Sequence, residues 1–84
     1  MLYRIFTEDK NQPTIEQIVT EFYPGFTLVK GEGFWRLQKE NSLIIEIVTE
    51  DEDAKISEIA QRIKAANQQQ AVLVQKIQNH QWFV

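Results

Sequence analysis

The sequence predicts an α+β fold in which four antiparallel strands form one sheet and two helices cover one of its faces. Segments of alternating apolar and polar residues are typical of strands, and two segments with apolar residues at i, i+3, i+4 and i+7 are typical of amphipathic helices. Their order is strand, helix, strand, strand, helix, strand. Because each helix has a single apolar stripe, both must bury it against the same sheet face. This is the ferredoxin-like split βαβ arrangement, with spatial strand order 4-1-3-2.

The first strand and the first helix are predicted from residues 1–25. Residues 1–7 alternate, which predicts a strand. Pro13 suits the first turn of a helix, where a missing N–H is tolerated. The apolar stripe of this helix is expected to comprise Ile15, Ile18, Val19 and Phe22. The Tyr23-Pro24-Gly25 segment ends the helix.

Residues 26–49 are predicted to form one long hairpin. Two glycines within residues 31–33 indicate a bulge or bend in its first strand, because glycine inside a strand often marks one. The turn is expected at residues 39–41, and the second strand at residues 42–49. A tight hairpin at residues 31–33, which would add one more strand, is the alternative.

The second helix follows an acidic run at residues 50–53. Acidic side chains at a helix start can cap it and interact favourably with its dipole, so this run is expected to be structural rather than a metal site. The apolar stripe of this helix comprises Ile56, Ile59, Ala60 and Ile63. Asn67 is expected to end the helix in the left-handed conformation. Residues 71–77 are the predicted last strand.

Composition excludes several classes of protein. The 84 residues suffice for one domain, residues 1–84. A net charge of −3 with scattered bases argues against nucleic-acid binding, which needs clustered Lys and Arg. The absence of cysteine removes thiol nucleophiles and thiolate metal sites. Neither a membrane span nor an export signal is visible, so we expect a soluble cytoplasmic domain without cofactor or metal.

One face of the predicted sheet is left without helices. Leu43, Ile45 and Ile47 are expected to face the helices. The open face is then expected to carry Leu2, Arg4, Phe6, Ile44, Glu46 and Val48. Arg4 and Glu46 would lie on neighbouring strands and could pair. Such an apolar face is larger than a monomer usually exposes, which predicts a homodimer packed sheet to sheet, or alternatively a ligand cleft on that face.

Few residues suggest chemistry. His80 is the single histidine and could serve as a general base, but no nucleophile stands at a recognisable spacing, so a solvated or interface role is favoured. Trp35 is expected in the core or at an interface. Glu40 and Ser42 are expected at the hairpin turn, bonded to their own backbone. Trp82, near the end of the chain, suggests that the tail docks on the domain or on a partner chain.

Four motifs carry a resemblance to a known family. These are the segments Phe22–Thr27, Gly33–Arg36, Glu40–Ser42 and Gln69–Val72. In this order and spacing they resemble a family of small bacterial proteins of unknown function. The resemblance implies no activity, but it singles out Trp35, Glu40, Ser42 and Gln70 as residues to test. Small ligand-sensing domains and cofactor-free dimeric monooxygenases are analogous at the level of fold alone.

The predicted function is that of a non-catalytic, dimeric domain that binds a partner or a small ligand through its open sheet face. The alternative is a small cofactor-independent enzyme of the dimeric α/β-barrel, monooxygenase-like kind, with His80, Trp35 and Glu40 near a cleft. The candidate ligand or interface residues are Arg4, Phe6, Trp35, Glu40, Ser42, Ile44, Glu46, Val48, Gln70, His80 and Trp82.

Overall fold

A computed structural model of the protein describes residues 1–78 and residue 82. Its elements are β1 (Leu2–Glu8), α1 (Gln12–Thr20), β2 (Thr27–Trp35), β3 (Gln38–Val48), α2 (Asp53–Asn67) and β4 (Leu73–Ile77). All strand pairs are antiparallel, and the sheet order is β2-β3-β1-β4, which is 4-1-3-2 read from the other edge. The predicted fold class, strand order and ferredoxin-like arrangement are confirmed.

A single apolar cluster lies between the helices and one sheet face. The sheet contributes Tyr3, Ile5, Leu43, Ile45 and Ile47, and the helices contribute Ile15, Ile18, Val19, Ile56, Ile59, Ala60 and Ile63. Both helices therefore dock on the same face, as their single apolar stripes predict. In the described part of the chain, no helix is long and apolar enough to span a membrane.

The turn of the β2–β3 hairpin lies three residues earlier than predicted. Trp35 pairs with Gln38, so the loop consists of Arg36 and Leu37 alone. These two residues have φ values of 51° and 66°, which is the backbone that a two-residue type I′ turn requires. The prediction of a turn at residues 39–41 is wrong. The true turn could not be recognised from the sequence, because neither Arg36 nor Leu37 is a residue type that usually marks such a turn.

The two glycines of β2 do not interrupt its pairing with β3. Gly31 pairs with Ser42 and Gly33 with Glu40 in one unbroken register. The predicted bulge at residues 31–33, and the alternative hairpin there, are therefore wrong. A Cβ at Gly33 would meet Ser42 Oγ at 3.1 Å, so the glycine allows this close approach of the neighbouring side chain.

The hairpin extends beyond the rest of the sheet. β1 pairs with β3 only as far as Glu8 opposite Ser42. Residues 32–41 therefore project from the sheet as a two-stranded extension, which we call the arm. Phe34, Trp35 and the fully exposed Leu37 place apolar side chains at its end.

Two predicted boundaries shift at the end of α2. Asn67 is the last helical residue and is buried, whereas the left-handed conformation belongs to Gln68, with φ 55°. β4 begins at Leu73, two residues later than predicted. The buried position of Asn67 reflects hydrogen bonds to other elements. These contacts cannot be predicted from the local residues that mark the end of a helix.

Candidate functional site

The open face of the sheet carries three rows of side chains that run across the strands. The upper apolar row is Val29, Ile44, Phe6 and Leu73. The charged row is Thr27, Glu46, Arg4 and Gln75. The lower apolar row is Val48, Leu2 and Ile77. Residues that pair directly across strands share a face, so this register places the predicted open-face residues of β1 and β3 together.

The two apolar rows are accessible to water. Val48 is 56% exposed and Leu73 is 57% exposed, while Phe6 and Ile44 at the centre of the sheet are half-buried. Neither α1 nor α2 covers this face, because both pack on the opposite one. The face therefore presents two bands of exposed apolar surface, and exposed apolar patches are the kind of surface that marks interaction sites.

Arg4 and Glu46 form an ion pair in the middle of this face. Arg4 Nε donates a hydrogen bond to Glu46 Oε2 at 2.8 Å, as the sequence predicts. Both side chains are only partly exposed. The pair neutralises the two charges between the apolar rows, so the centre of the face has no net charge.

A groove of about 890 Å³ lies at the end of β1, between the arm and the loop that connects α2 to β4. Trp35, Glu40, Ser42 and Gln70 all line it, together with Phe6 of the upper apolar row. The arm therefore brings together the four residues that the family resemblance singles out. Residues distant in sequence meet here because β1 stops at Glu8 while β3 continues past it.

For Trp35 the core alternative is wrong and the interface alternative stays a prediction, whereas Glu40 and Ser42 do not lie at the turn where they were expected. Trp35 is 64% exposed and lies outside the core, with the Arg36 guanidinium 5.6 Å from its ring centre. Glu40 and Ser42 are strand residues that pair with β2, not turn residues, because the turn lies at the end of the arm.

A buried polar network holds one wall of the groove. Asn67 Nδ2 donates to Thr7 Oγ1 at 3.1 Å and to Gln69 Oε1 at 3.0 Å. Thr7 Oγ1 in turn donates to Gln69 Oε1, and Asn11 Nδ2 donates to Asn67 Oδ1 at 3.0 Å. Sequence reasoning missed this network. Its one local signal is a polar residue, Thr7, on the face of β1 that otherwise carries core residues.

A second polar cluster lies at the start of α2. The Tyr3 hydroxyl donates to Asp53 Oδ1 at 2.5 Å and accepts the Glu52 backbone N–H at 3.1 Å. Lys76 Nζ lies 2.7 Å from Asp51 Oδ1. The hydrogen bond from Tyr3, aided by Lys76, lowers the pKa of Asp53. Burial is the main cause that raises the pKa of Tyr3.

Glu52 binds a second tyrosine in the same cluster. The Tyr23 hydroxyl donates to Glu52 Oε2 at 2.8 Å, which lowers the pKa of this carboxyl. Burial, together with this hydrogen bond, raises the pKa of Tyr23 to about 12. Glu52 precedes the first turn of α2 but makes no side-chain cap hydrogen bond. The expectation that this run caps the helix through its side chains is therefore wrong, although Asp53 does lie in the first turn.

The chain's remaining candidate residues lie near its end. His80 is outside the described residues, so its expected proximity to Trp35 and Glu40 stays a prediction. Trp82 is 80% exposed and thus does not contribute to the described core. Within residues 1–78 and 82, no group of three or more histidine or acidic side chains is placed to hold a metal ion.

Comparison with known proteins identifies the fold and the family. A solved structure described as a phage SAM lyase in the apo state is similar with a TM-score of 0.69 and 18% identity, over 87% of this chain and 75% of that chain. At this identity the likeness concerns the fold alone. No curated protein matches the chain. The family model described as "Protein of unknown function (DUF3574)" matches residues 5–83, and the chain therefore belongs to that family.

Proposed function

We propose that the chain is a non-catalytic interaction domain that forms a homodimer through its open sheet face. The observation that carries this proposal is the exposure of two apolar rows on one face, with a neutral ion pair between them. Burial of such surface contributes about 25 cal/mol for each Å² removed from water. A chain of 84 residues buries a modest fraction of its surface, so a dimer interface would add to its stability.

Val48→Asp tests this proposal. Val48 is largely exposed in the monomer, so an aspartate there leaves the isolated fold intact, whereas in the dimer it would bury an unpaired carboxylate. We expect the parent chain to sediment as a dimer at micromolar concentration and Val48→Asp as a monomer. Ala54→Asp is the matched control, because it makes the same apolar-to-acidic change at an exposed position of α2, on the opposite side of the sheet from the open face. A parent chain that is monomeric, or a dimeric Val48→Asp variant, contradicts the proposal.

The groove supports a second candidate function, in which the domain binds a small ligand and acts on it. Trp35 offers an exposed ring for stacking, and Glu40 and Gln70 offer a carboxylate and an amide for polar contacts. An enzyme would need these groups to converge on one pocket, and the groove brings them to one place. This is the site at which the cofactor-independent enzyme alternative would operate.

S-adenosylmethionine is the first compound to test in the groove, because a protein of similar fold is described as a SAM lyase. Binding is measured by titration calorimetry, and consumption of the compound by chromatography of the same mixtures. We expect Trp35→Ala and Glu40→Gln to weaken binding, and Ala54→Asp, on the exposed side of α2, to leave it unchanged. If the parent chain neither binds nor consumes this compound, S-adenosylmethionine is excluded as the ligand. If binding is found but survives both groove substitutions, the groove is not where it occurs.

A further inference from the structure

We propose that the two copies pack open face to open face about a twofold axis. This axis runs between β1 and β3 and parallel to them, so that Arg4 of each copy lies against Glu46 of the other. This inference rests on the proposed homodimer and specifies its geometry. It assigns Arg4 and Glu46 the role of setting the alignment between the copies.

The position of the axis follows from the strand order. β1 and β3 are the two central strands of the sheet, so an axis between them superimposes the full width of both open faces. Such an axis exchanges the two central strands, and each residue of β1 then faces the residue with which it pairs on β3. Phe6 lies against Ile44 of the other copy, and Leu2 lies against Val48 of the other copy. In this alignment, apolar rows contact apolar rows.

The charges favour this axis over the main alternative, which is a twofold axis along the charged row. The alternative axis would also superimpose the charged rows of the two copies, but it would place Arg4 against Arg4 and Glu46 against Glu46. Like charges brought together at an interface are unfavourable, whereas complementary charges favour one alignment. A displacement by one row, about 7 Å along the strands, would bury Arg4 and Glu46 against apolar side chains. Burial of charges without new partners is costly.

The same axis has a consequence for the groove. The arm lies on the β2–β3 half of the sheet, whereas the groove extends past the end of β1 towards β4. Exchange of the two halves by the axis places the arm of each copy beside the groove of the other. The exposed Trp35 would then contact the other copy, and the groove would be closed by two chains.

Charge reversal with mixing tests the pairing of Arg4 with Glu46. In Arg4→Glu alone, and in Glu46→Arg alone, the two facing charged rows carry charges of a single sign. We expect each variant to raise the dimer dissociation constant about tenfold or more. An equimolar mixture places an acidic row against a basic row, so we expect a heterodimer with a dissociation constant within about threefold of the parent value. Native mass spectrometry identifies the heterodimer, and circular dichroism verifies that each variant is folded.

Each outcome of the mixing experiment decides a different question. If both variants are monomeric and the mixture remains monomeric, the cross-pairing is wrong, while a monomeric Val48→Asp variant would still support the homodimer. If both variants dimerise like the parent chain, the charged rows do not face each other and the inference is overturned. A parent chain that is monomeric overturns both the inference and the proposed function.

Cysteine cross-linking tests the axis without altering a charge. The chain has no cysteine, so single introduced cysteines react only with each other. We expect Leu2→Cys mixed with Val48→Cys to cross-link efficiently with a short bismaleimide, because these positions face each other. Leu2→Cys mixed with Phe6→Cys should cross-link poorly, since these positions lie in different rows. The reverse result supports the axis along the charged row and overturns the proposed axis.

Discussion

The side-chain amide of Asn67, the last residue of α2, donates a hydrogen bond of 3.1 Å to the hydroxyl of Thr7 on β1. Asn67 is 2% exposed, and its two amide ends reach Thr7, Gln69 and Asn11. The network joins the end of α2, the last residues of β1 and the start of α1. It thereby holds the loop that forms one wall of the groove.

Asn67→Ala is expected to lower the free energy of unfolding by about 1–3 kcal/mol, because it leaves buried hydrogen-bonding groups without partners. Urea denaturation measures the change. Asn41→Ala is the control, since it makes the same substitution at an exposed side chain. Equal losses for the two variants would mean that the network adds nothing beyond the replaced side chain.

The cluster at the start of α2 predicts a loss of stability in acid. The pKa values of Asp53 and Glu52 are lowered from 3.8 and 4.5 in the folded state, chiefly by hydrogen bonds from Tyr3 and Tyr23. The unfolded chain therefore binds more protons near these values. The contribution of the two carboxylates to the free energy of unfolding, which is present at neutral pH, is lost as the pH falls below about 4.5. Urea midpoints measured from pH 7 to pH 3 should show a shallower decline in the Tyr3→Phe variant. An identical decline would contradict the assignment.

Because of Tyr23, we also expect the folded protein to lose stability in alkali. Its pKa is raised from 10.0 to about 12 in the folded state, mainly by burial and then by the hydrogen bond to Glu52. Because the folded chain keeps a proton that the unfolded chain releases, stability declines as the pH rises above 10.0. The pKa of Tyr3 is raised as well, but the phenolate absorbance of the folded protein should contain a component with a midpoint at about 12, and Tyr23→Phe should remove it. If Tyr23→Phe leaves the late component of the titration unchanged, the assignment to Tyr23 is contradicted.

The turn at the end of the arm predicts a stabilising substitution. Leu37 has φ 66° and is fully exposed, so its side chain makes no contact that offsets the cost of the left-handed backbone. Leu37→Gly should raise the free energy of unfolding by about 1 kcal/mol, because glycine adopts this conformation without steric cost. Leu37→Ala keeps the Cβ and should give no such gain. If the glycine variant is no more stable than the alanine variant, the turn does not carry this strain.

The elements and their order were predictable because the signals for them are local. The alternation of Leu2, Arg4 and Phe6 with core residues, and the helical spacing of Ile56, Ile59 and Ile63, can be recognised within ten residues of chain. The pairing of Arg4 with Glu46 followed from the strand order and the alternation together. These predictions needed no knowledge of contacts between distant segments beyond the fold class.

The sequence by itself determined the strand order, the side of the sheet that the helices cover, and which side chains are left on the open face. Tertiary structure alone decided the turn at Arg36 and Leu37, the groove beside the arm and the partners of Asn67. The hairpin turn follows from the register between β2 and β3, which depends on the pairing of whole strands and not on turn residues. Asn67 and Thr7 are 60 residues apart, so only packing of α2 on the sheet brings their polar groups within bonding distance.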